Sequence, residues 1–274
     1  MKHFIAGLAC VAGTVLTVPA NMTTAQASVV SSSAVDQVNA LRQQFRAGRG
    51  VRVAETVRLS LRAKRTVTVR RKGTLQFGPS GIVGAHFVRR ATVRPPLEKS
   101  DPVNVRHMIS VGETYYHFDA TPADENLPEG KKWVRASAHR PFQKWHAAFG
   151  DQDLNVLEPG TLALLLRSAA RRLPDQGGVQ YGGVIAQAEL YKASRSFRDQ
   201  RFLFEPGGKE GRLKIAWRLW VNRTGLVTRL VTSRGNDGMF HKASSDTRYT
   251  GWGSEVTITA PPADQVIDEA DVDY

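Results

Sequence analysis

Histidine, serine and acidic residues are the side chains with which this sequence could build a catalytic or metal site. None of its seven histidines forms the His-Glu-x-x-His pair of zinc proteases. His139 and His146 lie in one stretch without a carboxylate close to them in sequence, and His107 and His117 flank a short hairpin. Residues at such positions can face each other across two strands without forming a site. The sequence therefore predicts no metal site and no cofactor.

Two further segments contain residue types that are used in catalysis. Gly78-Pro79-Ser80-Gly81 resembles a nucleophile elbow only in part, because its second glycine comes one residue too early and it joins two strands. Asp151-Gln152-Asp153 could bind a divalent ion, but a loop that leads into a helix also needs acidic capping residues. We find no catalytic constellation and predict that the protein is not an enzyme.

The net charge of +13 predicts an anionic partner. Basic residues cluster at Arg62-Lys64-Arg65 and Arg70-Arg71-Lys72, mostly at alternate strand positions that point outward. Aromatic residues are not interleaved with them, which argues against nucleic acid as the partner. A solvated face and a contact with an anionic membrane surface both remain open.

Residues 1–27 have the features of a cleavable signal peptide. Lys2 precedes an uncharged apolar stretch, and Ala25-Gln26-Ala27 supplies the small-x-small cleavage site. We predict cleavage before Ser28 and a secreted, extracytoplasmic protein. The single cysteine, Cys10, lies inside the signal and lacks a convincing acylation motif, so the mature chain has no disulfide.

The hydrophobic pattern predicts one amphipathic helix followed by many strands. Helical spacing begins near Val35 and ends at Gly48, and from Val51 onward apolar residues alternate with polar ones, which is typical of half-buried strands. Short strands joined by tight turns indicate an antiparallel meander. A helix is predicted from Leu162 to Ala170 before Pro174, and more strands follow. We predict a single domain over 28–262 and a solvated acidic tail over 263–274, with a tail that folds back on a basic patch as the alternative.

A long sheet with one apolar face curls, and that face must be covered by helices or by a ligand. The predicted fold is therefore α+β, a curled antiparallel half-barrel with a few helices across its concave face. The alternation assigns nine apolar residues to this face: Val57, Leu59, Leu61, Val67, Val69, Leu75, Phe77, Ile109 and Val111. Whether the space beside them is an apolar cavity or a filled core stays open at this level.

The order of several short motifs resembles the actinobacterial envelope lipoproteins LppX, LprG, LprA and LprF. These motifs are Gly112-Glu113-Thr114-Tyr115, Lys131-Lys132-Trp133-Val134, Leu219-Trp220-Val221-Asn222 and Asp246-Thr247-Arg248-Tyr249-Thr250-Gly251-Trp252-Gly253. The resemblance implies a fold like that of the carriers LolA and LolB. It also implies that a lipid or lipoglycan is held in the hollow. The alternative is an envelope-signalling module that senses lipids or binds an anti-sigma factor, and the oligomeric state is left unknown.

Overall fold

Twelve strands pair into one open sheet in the computed structural model of the protein, within the residues that the structure describes: 34–61, 65–96, 104–120, 127–136, 150–201, 205–236 and 241–272. The strands are β1 (Arg49–Ser60), β2 (Thr66–Gly78), β3 (Gly81–Arg94), β4 (Asn104–Val111), β5 (Thr114–Asp119), β6 (Trp133–Arg135), β7 (Arg171–Asp175), β8 (Gly178–Ala186), β9 (Lys214–Asn222), β10 (Val227–Arg234), β11 (Lys242–Glu255) and β12 (Val266–Asp268). Their order across the sheet is β12-β6-β5-β4-β3-β2-β1-β11-β10-β9-β8-β7. Since β12 and β7 are both edges, the half-barrel does not close.

Five short helices accompany the sheet in the described part of the chain: α1 (34–43), α2 (Pro159–Arg167), α3 (Gln187–Ala193), α4 (Arg195–Arg201) and α5 (Gly208–Gly211). This confirms the predicted class, α+β with a curled, mostly antiparallel half-barrel. None of these helices is long and apolar enough to cross a membrane.

The core lies on one face of the sheet, which we call the inner face. In β9 the buried residues Ile215, Trp217, Leu219 and Val221 alternate with more exposed ones, as the two-residue period of a strand requires. Leu162, Leu165 and Leu166 of α2 and Leu190 of α3 belong to the same core cluster as these strand residues. The helices α2 and α3 therefore cover the β8–β9 half of the inner face.

A carboxylate joins the covering helices to one another. Glu158, just before α2, accepts hydrogen bonds from the Thr161 hydroxyl (2.9 Å) and from the Arg195 backbone N–H (2.7 Å) at the start of α4. Its Oε2 also accepts from the hydroxyls of Ser194 and Ser196. Backbone N–H groups at a helix start have no partner inside the helix, so an acidic side chain is favourable there.

Two segments differ from the sequence prediction. The helix expected to reach Ala170 ends at Arg167, and Arg171–Asp175 forms the edge strand β7. Pro174 is tolerated there because the outer side of an edge strand forms no hydrogen bonds with a neighbouring strand. Residues expected in a solvated acidic tail instead form β12, which pairs in parallel with β6. Asp268 binds Arg135 through two hydrogen bonds, and this ion pair holds the acidic segment on the sheet edge.

Candidate functional site

The inner face of β1 to β5 is divided into three zones along the strands. The first zone, the filled end, is apolar and belongs to the core cluster with Ala34, Val38 and Leu41 of α1. Phe77 is fully buried there, with its ring centroid 6.0 Å from that of Trp252. The sheet residues of the filled end are Val51, Val53, Leu75, Phe77, Ala85, Phe87 and Met108.

The second zone is a row of charged side chains, one from each of five adjacent strands. The strand register places Glu55 opposite Arg71, Arg71 opposite Arg89, Arg89 opposite Arg106 and Arg106 opposite Asp119. We call these five residues the charged row. Arg106 and Asp119 form a bidentate pair, and Arg89 lies 3.8 Å from the Asp151 carboxylate. Together with Asp151, the charged row contains three cations and three carboxylates, so its formal charges cancel.

The buried centre of the charged row is the pair Glu55 and Arg71. Their side chains are 1% and 3% exposed, and Arg71 Nε lies 3.6 Å from Glu55 Oε1. The Arg71 guanidinium also rests 4.0 Å above the Phe87 ring. Burial raises the pKa of Glu55, and the positive charge of Arg71 opposes that shift.

Residues 150–157 cross the inner face above the charged row, and we call them the strap. Gly150 has a φ of +68°, and a Cβ at this position would lie 2.5 Å from both the Arg71 guanidinium carbon and Glu55 Oε1. The backbone N–H of Asp151 donates to Glu55 Oε1 at 3.2 Å. A glycine is therefore required where the strap passes over the ion pair.

The rest of the strap is held by polar side chains of β10 and β11. Gln152 donates to the Thr247 hydroxyl at 3.0 Å and accepts from the Thr232 hydroxyl at 2.8 Å. Asp153 accepts from Arg234 Nε at 3.0 Å, in a pair whose side chains are less than a tenth exposed. The acidic residues considered above as ion ligands thus bind arginines of the sheet.

The third zone, beyond the charged row, is an apolar wall. It consists of Val57, Leu59, Val67, Val69, Ala91 and Val93, with Leu61 directly after β1. Val57 and Val69 face each other and are 2% exposed, whereas Leu59, Val67 and Val93 are half-buried. Each inward position of β1, β2 and β3 in this zone is aliphatic.

The nine residues that alternation assigned to one face are not all brought together. Val57, Leu59, Leu61, Val67 and Val69 lie at the apolar wall, while Leu75 and Phe77 lie in the filled end. Ile109 pairs with His86, and Val111 pairs with Gly84. The β2 residues opposite His86 and Gly84 point outward, so Ile109 and Val111 lie on the opposite face of the sheet. The sequence could not show this, because Met108, Ile109, Ser110 and Val111 form a run without a clear alternation.

The histidines do not converge on a site in the described part. His107 pairs with Phe118 and His117 with Met108, so the two point to opposite faces and do not oppose each other as the sequence suggested. Burial lowers the pKa of each, with positive neighbours adding to the effect. Within the described ranges, no three His, Cys, Asp or Glu side chains are placed to hold a metal ion, and His139 and His146 lie outside those ranges.

Two surface clefts among the described residues are lined mostly by polar residues. One, of about 520 Å³, lies between the start of α1 and the β9–β10 turn and includes Asp36, Asp175 and Arg223 in its lining. The other, of about 260 Å³, lies between the end of α1 and Gly253, with Arg46 and Arg49 beside it. Neither offers the aliphatic surface of the apolar wall.

The chain is similar to several solved structures. LprF from Mycobacterium bovis is 16% identical, with 85% of this chain and 97% of that chain covered and a TM-score of 0.39. A LolA superfamily protein from Nitrosomonas europaea is 11% identical (84% and 94% covered, TM-score 0.25). A putative outer membrane lipoprotein-sorting protein domain from Vibrio parahaemolyticus is 9% identical (82% and 92% covered, TM-score 0.25). No protein-family model and no curated protein sequence matches the chain. LprF is one of the envelope lipoproteins that the sequence motifs resemble.

Proposed function

We propose that this protein is an exported, non-catalytic binding protein or carrier whose ligand is a lipid or lipoglycan, with an acyl chain lying along the apolar wall. The observation that carries the proposal is the uninterrupted aliphatic surface on three adjacent strands beyond the charged row. The sequence resemblance to LppX-type lipoproteins is in line with such a ligand. We place the function outside the cytoplasmic membrane because of the predicted signal peptide.

An apolar wall is sufficient for this kind of binding. Burying an alkyl chain contributes about 0.8 kcal/mol for each CH₂ removed from water, without any directed polar contact. The charged row limits the apolar wall on one side, because its cations and carboxylates are already bound to one another or to the strap. The alkyl chain therefore remains on the side of Leu59 and Val67.

The test is native mass spectrometry and lipid extraction of the mature protein purified from its own or a related host. We expect mass adducts that extract into organic solvent, and binding of a fluorescent fatty acid by the delipidated protein. Val67→Trp places an indole on the apolar wall between Leu59 and Val93, the cross-strand neighbours of Val67. It should weaken binding of the fatty acid by about tenfold, the equivalent of roughly two buried methylenes.

Thr68→Trp is the matched control, because it introduces the same side chain one residue further along β2, on the opposite face. It should leave fatty-acid binding unchanged. A protein without extractable lipid, whose affinity for the fatty acid is equal in both variants, would refute the proposal. If such a protein instead captured a membrane-protein domain, the signalling module would be the better function.

A further inference from the structure

The outer face of the sheet, opposite to the apolar wall, carries a dense array of basic side chains. On β11, β1, β2 and β3 the outward positions alternate with the buried ones, and their basic residues are exposed. We call the central six the basic face: Arg52, Arg58, Arg70, Lys72, Arg90 and Arg248.

Carboxylates are almost missing from the same surface. The four strands contain three: Glu55 faces inward, and Glu255 lies at the strand end, 3.8 Å from Arg49. The third, Asp246, is bound by Arg229 of β10 through two hydrogen bonds of 2.9 and 2.6 Å. Arg229 holds the pKa of Asp246 below its ordinary value, and Arg248 and Arg58 of the basic face add to this effect, so this single outward carboxylate is shared among three arginines.

This arrangement opposes the stability of the fold. Arg70 and Arg90 are directly opposite each other on β2 and β3, and like charges at such positions are destabilising. The neighbouring outward positions hold hydroxyls, among them Thr56, Thr68 and Thr74, which can donate hydrogen bonds to phosphate oxygens. A surface with a large excess of cations, and with hydroxyl donors between them, suits an anionic partner.

We propose that the basic face docks the protein onto a bilayer that contains anionic lipid. The array is two-dimensional: adjacent strands are about 4.8 Å apart, and neighbouring outward residues along a strand are two rises of about 3.3 Å apart. The headgroups of an anionic bilayer also form a two-dimensional array of charges. At the β4–β6 side of the same face, Phe118 lies between His107 and Trp133, with ring centroids 5.4 and 6.1 Å away. Of these three rings, Trp133 is of a type that is enriched at membrane–water interfaces.

Nucleic acid fits these observations less well. Proteins that bind single strands present aromatic faces on which bases stack, inside a positively charged groove. Here the aromatic rings pack against each other at one side. The basic face is a broad surface on which Arg52, Arg70 and Arg90 lie on separate strands. The inference does not depend on the proposed lipid ligand, because the apolar wall and the basic face occupy opposite sides of the same strands.

Vesicle co-flotation of the purified protein tests this inference. Neutral phosphatidylcholine vesicles are compared with vesicles that also contain phosphatidylglycerol. We expect binding to the anionic vesicles alone, and weaker binding as salt rises, since exposed charges are screened over about 8 Å at physiological ionic strength. The variant Arg58→Gln/Arg70→Gln/Lys72→Gln/Arg90→Gln should bind at least about tenfold more weakly, because each basic residue near an anionic surface contributes roughly a fivefold factor.

The control removes the same number of charges from outside the sheet, with Arg46→Gln/Arg167→Gln/Lys209→Gln/Arg212→Gln. These four side chains are exposed and lie on or beside helices. The control should keep most of the wild-type binding, and circular dichroism should show that both variants are folded. Equal loss of binding in the two variants, or binding indifferent to lipid charge and salt, would overturn the inference. Binding of single-stranded DNA that depends on the basic face, without binding of vesicles, would replace the membrane by nucleic acid.

Discussion

The buried ion pair Glu55–Arg71 shows how a charged group is retained inside this sheet. Taking two charges out of water costs several kcal/mol per ion unless hydrogen bonds and a close counter-charge compensate. Glu55 has three such partners: Arg71, the backbone N–H of Asp151 and the Thr247 hydroxyl. The pair therefore joins β1, β2 and β11 to the strap.

A double-mutant cycle measures this coupling. Arg71→Met removes the main counter-charge of Glu55 and should lower the free energy of unfolding by about 3–5 kcal/mol. Adding Glu55→Met removes the remaining buried charge, so the double variant should be clearly more stable than the sum of the two single losses predicts, with a coupling of about 0.5–3 kcal/mol. Urea denaturation of the four proteins gives these values. Additive losses would mean that the two side chains do not interact.

The pH dependence of stability should reflect the raised pKa of Glu55. Since burial raises the folded-state pKa above the ordinary value of 4.5, the folded protein holds a proton that the unfolded chain releases. The contribution of this group is therefore fully present below about pH 4.5 and is lost as pH rises through the folded-state pKa. As pH rises over that range, the unfolding free energy of wild type should fall relative to that of Glu55→Gln. A difference that stays constant with pH would contradict the assignment.

Gly150 tests how closely the strap approaches the ion pair. Gly150→Ala introduces a Cβ into a left-handed conformation and against Arg71 and Glu55. Gly48 has a similar φ of +72° but open space around it, so Gly48→Ala carries the backbone strain alone. We expect Gly150→Ala to be less stable than Gly48→Ala by at least about 1 kcal/mol in thermal or urea unfolding. Equal losses would place the strap further from the sheet.

At the scale of the strands, the sequence predicts the two-residue alternation, but it does not predict the charged row. The alternation of β1 and β2 correctly separated Val57 and Val69 from Arg58 and Arg70. A signal for the missing part existed: Glu55 stands in phase with the apolar residues of β1 and therefore points inward. Its partners on other strands could not be identified, because they depend on register and on a strap from a distant part of the chain.

Adjacent residues of β2 test the facing of the strands. Val69→Asp places a carboxylate on the inner face, where it has no prepared partner, and should lower the unfolding free energy by about 3 kcal/mol or more. Arg70→Asp lies outward and opposite Arg90, so its effect should stay within about 0.5 kcal/mol. Urea denaturation compares the two. The reverse order of stability would mean that the faces of β2 are inverted.

At the scale of the whole molecule, the sheet is joined by pairings between distant parts of the chain. β1 pairs with β11 along almost its whole length, and β12 returns to β6 across more than a hundred residues. Local patterns predict strands and turns, whereas these contacts depend on which edges meet after the meander has curled. For this reason the half-barrel class was predicted, while the position of the acidic segment on the sheet edge was not.

Export of the chain can be tested directly, because the proposed carrier function requires a protein outside the cytoplasmic membrane. Protein secreted from an actinobacterial host should begin at Ser28, since Ala25 and Ala27 supply the small side chains that signal peptidase requires. Edman sequencing and intact mass identify the first residue. Ala27→Arg should block cleavage, whereas Cys10→Ser, inside the apolar stretch, should leave the cleavage site unchanged. A mature protein that begins at a lipid-modified Cys10 would contradict the predicted cleavage and would mean that a covalent anchor, in addition to the basic face, holds the protein at the membrane.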